Sequence, residues 1–167
     1  MKLVLSTDHA GLELLQRLED FLTQQGHECT NLGPTSLVPD DDYPDYIAPA
    51  ARAVAKGEYD MGIIMGGSGQ GEAMIANRFK GARCAVYYGP ANAVGAIDAE
   101  GSAGSDQYEI LRLSREHNNA NMLSLASRFL SWEQLQQAVT IWLETPYGNV
   151  ERHARRIAKI DDPALQD

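Results

Sequence analysis

The stretch "IIMGGSGQGEAMIANR", residues 63–78, joins an apolar run to a helical pattern through a glycine-rich turn. The apolar run 61–65 predicts a buried strand, and the residues from Glu72 to position 79 predict a helix. Four glycines and one serine stand between them. Glycines at such a turn let main-chain N–H groups approach a ligand closely. The stretch therefore predicts a strand–turn–helix unit of a parallel α/β protein, with a binding loop at the end of its strand.

The same alternation continues on both sides of this stretch. Near-continuous apolar runs predict strands, and leucines at helical spacing, such as Leu15 and Leu18, predict helices between them. Residues 34–46 are polar and proline-rich and predict a loop, and Pro49 is expected in the first turn of the next helix. The expected strands are 2–6, 27–33, 61–65, 83–88 and 121–127, and the expected helices are 11–26, 47–57, 72–79, 108–117, 131–145 and 149–160. This pattern favours a five-stranded parallel sheet covered by helices on both faces.

Length and composition predict a single domain over 1–167, with a loop insertion near 89–107 and a C-terminal helix at about 149–160. No apolar run approaches the roughly 20 residues that span a bilayer. The opening "MKLVLSTDHAG" is interpreted as a first strand and not a signal peptide, because Asp8 and His9 follow the apolar run at once.

The net charge and the cysteine content limit the classes of ligand and the cellular setting that we expect. A net charge of −9 argues against nucleic-acid or acidic-membrane binding, so an anionic ligand needs a local basic cluster, and "ERHARR" (151–156) is the densest. Only two cysteines occur, which fits a reducing, cytoplasmic setting. The four histidines show no metal-ligand spacing, so we expect no metal.

Glu72 is the informative residue of the glycine-rich turn. It could serve only as an acidic residue near a helix N-terminus, where it interacts with the helix dipole. It would repel a phosphate in the same loop, but it could remove an acidic proton from a sugar carbon next to a carbonyl. The loop amides would then hold the developing enediolate oxygen.

Two other loops carry candidate residues. In "TDHAG" (7–11), Asp8 and His9 could cap the following helix or bind sugar hydroxyls or a phosphate. In "REHNNA" (115–120), His117 could be structural or catalytic. The residues alone leave both choices open.

Together these stretches resemble the ribose-5-phosphate isomerase B family, the RpiB/LacA/LacB group of sugar-phosphate isomerases. The resemblance rests on motifs that occur in the family's order and cover most of the chain: "DHAG" (8–11), "DYP" (42–44), "GGSGQGE" followed by "ANRFKGARCA" (66–85), "REHNNANML" (115–123) and "RHARRI" (152–157).

The resemblance implies a Rossmann-like or flavodoxin-like three-layer α/β sandwich and a homodimer, or dimer of dimers, with the site at the subunit interface. It implies aldose–ketose interconversion of a phosphorylated sugar, ribose 5-phosphate to ribulose 5-phosphate, through a cis-enediol, without a metal or organic cofactor. Many members place a cysteine base at the start of the glycine loop. That position is Gly66 here, so the chain resembles the subgroup whose base is a glutamate, at Glu72.

The resemblance also assigns roles to individual residues. His117, helped by Asp8, would open the sugar ring before Glu72 moves the proton. The expected substrate-binding residues are His9, Asp42, Tyr43, Gly67, Ser68, Gly71, Asn118, Arg128, Arg152 and Arg156, with the arginines and His9 on the phosphate. His153 and Arg155 lie in the same basic cluster but on different helical faces, and they are given no role.

The segment 89–107 departs from the family pattern by its length and bears on which sugar is used. Another phosphorylated sugar, of the allose 6-phosphate or galactose 6-phosphate type, is one alternative. A non-catalytic, flavodoxin-like module that binds a nucleotide or flavin is the other, and it would predict a yellow protein.

Overall fold

A computed structural model describes residues 1–162 and 164. The chain forms two compact units, each described by itself. The sheet unit comprises Met1–Tyr88 and Ala120–Trp132, and the helical unit comprises Gly89–Asn119 and Glu133–Asp167. The single domain expected from length stays a prediction.

The sheet unit contains the expected five-stranded parallel sheet, with the order β2-β1-β3-β5-β4. The chain passes from β1 to β2 on one side and then returns to place β3 on the other side of β1. Loops that follow β1 and β3 therefore meet where the strand order reverses, which is the usual ligand crevice of such sheets. The strands are β1 (Lys2–Thr7), β2 (Glu28–Asn31), β3 (Met61–Gly66), β4 (Cys84–Tyr87) and β5 (Met122–Ala126).

All six predicted helices are present. They are α1 (Leu12–Gln24), α2 (Tyr43–Ala55), α3 (Gln70–Ala76), α4 (Glu109–Glu116), α5 (Trp132–Glu144) and α6 (Glu151–Ile160). A short 3₁₀ turn, His9–Gly11, precedes α1. The expected α/β fold class is confirmed.

The start of α2 was predicted wrongly. Residues 43–46 were expected in a loop, but the helix begins at Tyr43 and Pro44 occupies its first turn. Proline is tolerated there because its missing N–H would have no partner in the first turn anyway. Pro49, expected in the first turn, lies inside the helix instead. Its ring removes one main-chain hydrogen bond, which the surrounding buried residues of α2 offset.

The core of the sheet unit follows the alternation of its strands. Val4, Ile64 and Met122 are fully buried in one cluster with residues of α2 and α3, including Ile47. Their neighbours in β1 and β3, such as Leu5, are equally buried, as expected for a parallel sheet with both faces covered. Packing of this kind holds the ends of β1 and β3 in fixed positions.

The segment 89–107 contains no helix or strand, but local hydrogen bonds shape it. Its ends are joined where Ala91 N–H donates to the carbonyl of Gln107 at 2.8 Å. Asp98 accepts the N–H groups of Glu100 and Ser102 at 3.1 and 2.8 Å, which closes a tight turn. Across the chain, no described helix has the length and apolarity required to cross a bilayer.

Candidate active site

Glu72 lies in the first turn of α3 and is only 5% exposed. Its carboxylate occupies the space beside Gly66, the last residue of β3. A Cβ atom built on Gly66 would collide with the carboxylate of Glu72. The carboxylate thus lies where the side chain of residue 66 would otherwise begin.

Burial changes the acidity of Glu72. Desolvation raises the pKa of its carboxyl group above the ordinary value of 4.5, and the negative charge of Asp8 raises it further. A hydrogen bond from its own main-chain N–H acts in the opposite direction and does not compensate. A carboxylate with a raised pKa is a stronger base than an exposed glutamate, which suits proton abstraction.

The loop between β3 and α3 presents unpaired main-chain donors. Within residues 1–162 and 164, the N–H groups of Gly67, Ser68 and Gly71 donate to no protein acceptor. Gly69 holds the loop in shape. It has a left-handed φ of 73°, and Ser124 donates its hydroxyl hydrogen to the Gly69 carbonyl at 2.6 Å. Free N–H groups beside a buried base can stabilise an oxyanion.

Asp8 and His9 lie directly after β1. Asp8 accepts the N–H of Ala10 at 2.9 Å, so it does cap the short turn, and it is 6% exposed. His9 contacts Asp41, with Nδ1 at 2.6 Å from Oδ1. This hydrogen bond is the main cause that raises the pKa of His9 and favours its cationic form, which attracts a phosphate.

Among the described residues, one group of three side chains could hold a metal ion between them. This group is Asp8, His9 and Asp41. Their mutual contacts already account for this proximity: the His9–Asp41 pair is 2.6 Å long, and Asp8 lies 3.9 Å from the ring of His9. The prediction that the site needs no metal therefore remains a matter for experiment.

Tyr43 and Arg128 approach the glycine loop from either side. A Cβ on Gly71 would lie 2.8 Å from Cζ of Tyr43, and one on Gly67 would lie 3.1 Å from Cζ of Arg128. A side chain at either glycine would therefore crowd these neighbours. Asp42, predicted to line the sugar site, is exposed and offers no side-chain cap to α2.

The helical unit contains the other predicted residues. His117 ends α4 and is partly exposed. Its ring packs on that of His153, with centroids 4.2 Å apart. A cavity of about 250 Å³ is lined by both histidines together with Glu100 and Arg152.

Arg152 already binds an anion. Its two terminal nitrogens contact the carboxylate oxygens of Glu100 at 3.0 and 3.3 Å. Arg152 also donates its Nε–H to Nε2 of His153 at 3.2 Å. Arg156 lies one turn further along α6 and is exposed. Asn118, expected to hold the enediolate, follows His117 and is exposed.

Of the thirteen predicted residues, the sheet unit holds nine. They are Asp8 and His9 after β1, Gly67, Ser68, Gly71 and Glu72 after β3, and Asp42, Tyr43 and Arg128. The helical unit holds His117, Asn118, Arg152 and Arg156. Sequence reasoning missed Asp41, His153 and Glu100. Only the adjacency of His153 to Arg152 was visible in the sequence, because Asp41 and Glu100 lie 32 and 52 residues from their partners.

This arrangement is that of a doubly wound α/β protein with a glycine loop and a buried carboxylate at its switch point. The Ribose/Galactose Isomerase family matches residues 3–102 and 102–160. This chain belongs to the Ribose/Galactose Isomerase family.

Individual relatives agree with this assignment. Ribose-5-phosphate isomerase B of Mycolicibacterium paratuberculosis is 37% identical over 158 residues, which is 94% of this chain and 87% of that protein. The crystal structure of a ribose 5-phosphate isomerase from Thermotoga maritima is 34% identical, with a TM-score of 0.81 over 96% of this chain and 97% of that one. Ribose-5-phosphate isomerase B from Mycoplasma genitalium, with bound ribulose-5-phosphate, is 29% identical, with a TM-score of 0.83 over 99% and 97%.

Proposed function

We propose that this chain interconverts ribose 5-phosphate and ribulose 5-phosphate through a cis-enediolate, with Glu72 as the base. The observation that carries the proposal is the position of the Glu72 carboxylate, buried beside Gly66 with a raised pKa. The family and the relatives named for this reaction support the same substrate class.

In the proposed reaction, the carboxylate of Glu72 takes the proton from C2 of the open-chain aldose. The electron pair shifts toward the C1 carbonyl, whose oxygen gains negative charge. The hydroxyl proton on O2 passes to O1, and the same carboxyl group returns its proton to C1. The electron pair left on O2 then forms the C2 carbonyl of the ketose. The raised pKa of Glu72 matters in both directions because the residue must act as a base and then as an acid.

The free N–H groups of Gly67, Ser68 and Gly71 are the proposed donors to the enediolate oxygens. Removal of one such donor from an oxyanion site typically costs about 2.7–4 kcal/mol of transition-state stabilisation. Tyr43, above Gly71, would confine the sugar at this loop, with Asp42 at its edge.

The helical unit supplies the proposed ring-opening and phosphate-binding residues. His117 would open the furanose with help from Asp8, and Asn118 would assist in holding the enediolate. Arg152 and Arg156 lie one turn apart on α6, and the guanidinium fork of Arg152 already accommodates the carboxylate of Glu100. A planar fork of this kind also fits phosphate oxygens. His9, whose raised pKa favours the cationic form, and Arg128 are the remaining proposed phosphate ligands.

We further propose that the protein acts as a cytoplasmic homodimer or dimer of dimers with its site at the subunit interface, as the family resemblance implies. Cross-linking and light scattering of the purified protein would test the oligomer. Complementation between a Glu72→Gln and a His117→Asn variant, mixed under exchange, would test whether two subunits build one site. Recovered turnover in the mixture supports a shared site, and no recovery despite subunit exchange contradicts it.

A hexose 6-phosphate is the second candidate substrate, since the Ribose/Galactose Isomerase family joins isomerases of both sugars. Turnover should be measured on ribose 5-phosphate, allose 6-phosphate and galactose 6-phosphate, each with and without a chelator. We expect the pentose phosphate to have the highest kcat/KM and the chelator to change nothing. Preference for a hexose phosphate would change the substrate. Loss of activity on chelation would assign a metal to Asp8, His9 and Asp41.

A further inference from the structure

His153 is an unusual residue for α6. The helix is charged on most of its surface, and His153 is its one buried residue within the described part of the chain, at 4% exposure. An apolar side chain at such a position would need no hydrogen-bond partner. The histidine instead contacts two residues to which the proposed function gives roles, His117 and Arg152.

The two contacts use different parts of the imidazole. Nε2 accepts the Nε–H of Arg152 at 3.2 Å, while the face of the ring packs against the ring of His117 at 4.2 Å between centroids. One side chain thus connects a proposed phosphate ligand with the proposed ring-opening acid–base residue.

The protonation state of His153 agrees with these contacts. Burial lowers its pKa, and the charges of His117, Arg152 and Arg156 lower it further. The main chain of Glu116 acts in the opposite direction but does not compensate, so the neutral form is favoured. A neutral imidazole has one acceptor nitrogen, and the Arg152 bond requires that nitrogen to be Nε2. The hydrogen is then on Nδ1, which is buried and has no hydrogen-bond partner among the described residues.

The contact to Arg152 also determines which edge of the guanidinium faces outward. A guanidinium group has one Nε–H and two terminal NH₂ groups. Because His153 holds the Nε–H, the terminal nitrogens are left for an anion, and in this structure they contact Glu100. A fixed fork loses less conformational entropy when it binds two oxygens.

We propose that His153 is a positioning residue: its Nε2 orients Arg152 toward the substrate phosphate, and its ring face holds His117 in place for ring opening. The proposal rests on the proposed function, because it assigns work to residues whose roles are themselves proposed. The contact with Arg152 and the contact with His117 can each be removed by a separate substitution.

The first variant is His153→Phe, which keeps a ring against His117 but removes the acceptor for Arg152. We expect the KM for ribose 5-phosphate to rise about fivefold, as for the net loss of one ordinary hydrogen bond, with kcat within about twofold of wild type. Competitive inhibition by inorganic phosphate should weaken by a similar factor.

The second variant is His153→Gln, whose side-chain oxygen can replace Nε2 as acceptor but provides no ring. We expect kcat to fall about tenfold because His117 loses its packing surface, while KM stays within about twofold. Arg155→Gln, an exposed substitution on the same helix, is the matched control and should leave both constants unchanged.

Opposite changes in the two variants support a positioning role. If both variants show the same decrease in kcat and the same increase in KM, in proportion to a lowered Tm, then His153 only stabilises α6 and the proposal is overturned. Wild-type kinetics in both would overturn it as well. If His153→Phe fails to fold, the kcat and KM of His153→Gln decide alone. Failure of the proposed function is distinguishable, because the wild-type protein would then show no turnover of the sugar phosphate at all.

Discussion

The two clusters of candidate residues differ in how they hold their charges. Glu72 in the sheet unit is a buried carboxylate, 5% exposed, without an ion-pair partner among the residues described. Arg152 in the helical unit is about one-third exposed and already pairs with a carboxylate. Proton transfer requires a base with a raised pKa in a fixed position, whereas phosphate binding requires a cation that solvent and substrate can reach.

The difference has an energetic side. Burial penalises the charged form of Glu72, so its basicity comes at some cost in folded-state stability. For Arg152 the pairing with Glu100 outweighs the desolvation and raises the pKa of the guanidinium. Glu100 is the side chain that a phosphate would have to displace. Changes at Glu72 should therefore alter kcat, and changes at the pair of Arg152 and Glu100 should alter KM.

Among substitutions that leave Glu72 itself in place, the largest effect that sharpens this contrast is expected from Gly66→Ala. The added methyl group would meet the carboxylate of Glu72 and force it out of position. Because only the end of a side chain must move, Tm should change little, while kcat should fall by about 100-fold. The control is Gly95→Ala, where the new methyl group meets nothing within 4 Å. A Gly66→Ala enzyme with wild-type kcat would show that the carboxylate need not lie there.

The pH profile gives the next effect. The base must be ionised, and the pKa of Glu72 is raised above 4.5, so kcat/KM should fall as pH drops through that raised value, by about tenfold per pH unit below it. Part of the shift comes from the charge of Asp8, so Asp8→Asn should move the acid limb to lower pH even though its overall activity is reduced. An acid limb that stays in place in Asp8→Asn would mean that another group controls it.

The smallest effect is expected at the second cluster. Glu100→Gln removes the carboxylate that competes for Arg152, so KM for the sugar phosphate should fall about two- to fivefold, with kcat unchanged. The gain should shrink at high salt, since the pair is exposed. Glu151→Gln removes the same charge from the neighbouring residue and serves as the control. If both variants lower KM equally, the cause is net charge and not the specific pair.

Local patterns predicted the elements of the fold well, because buried parallel strands are near-continuous apolar runs and the helices have leucines at regular spacing. The start of α2 was missed because "YPDY" resembles a proline-rich loop, although Pro44 fits a first helical turn. The strand order was not predictable, because the sequence of β5 contains no signal for its position between β3 and β4.

In the candidate site, too, local features could be predicted from the sequence and features that depend on distant contacts could not. Glu72 and the glycine loop stand together in the sequence, so their chemistry could be inferred from it. The pKa of Glu72 could not, because burial and the helix N-terminus oppose each other and only the packed structure shows that burial dominates. Asp41 and Glu100 act through contacts 32 and 52 residues away, and a single sequence contains no signal for such pairs.

The most direct test of the central claim uses Glu72→Gln with ribose 5-phosphate as substrate. Two rates are measured: turnover to the ketose, and exchange of the C2 hydrogen with solvent deuterium. The variant should fold at least as stably as wild type at neutral pH, because it removes a buried charge whose raised pKa marks it as unfavourable there. We expect kcat to fall by about 10³-fold, no exchange at C2, and unchanged inhibition by inorganic phosphate. Turnover and exchange at wild-type rates would contradict the assignment of Glu72 as the base.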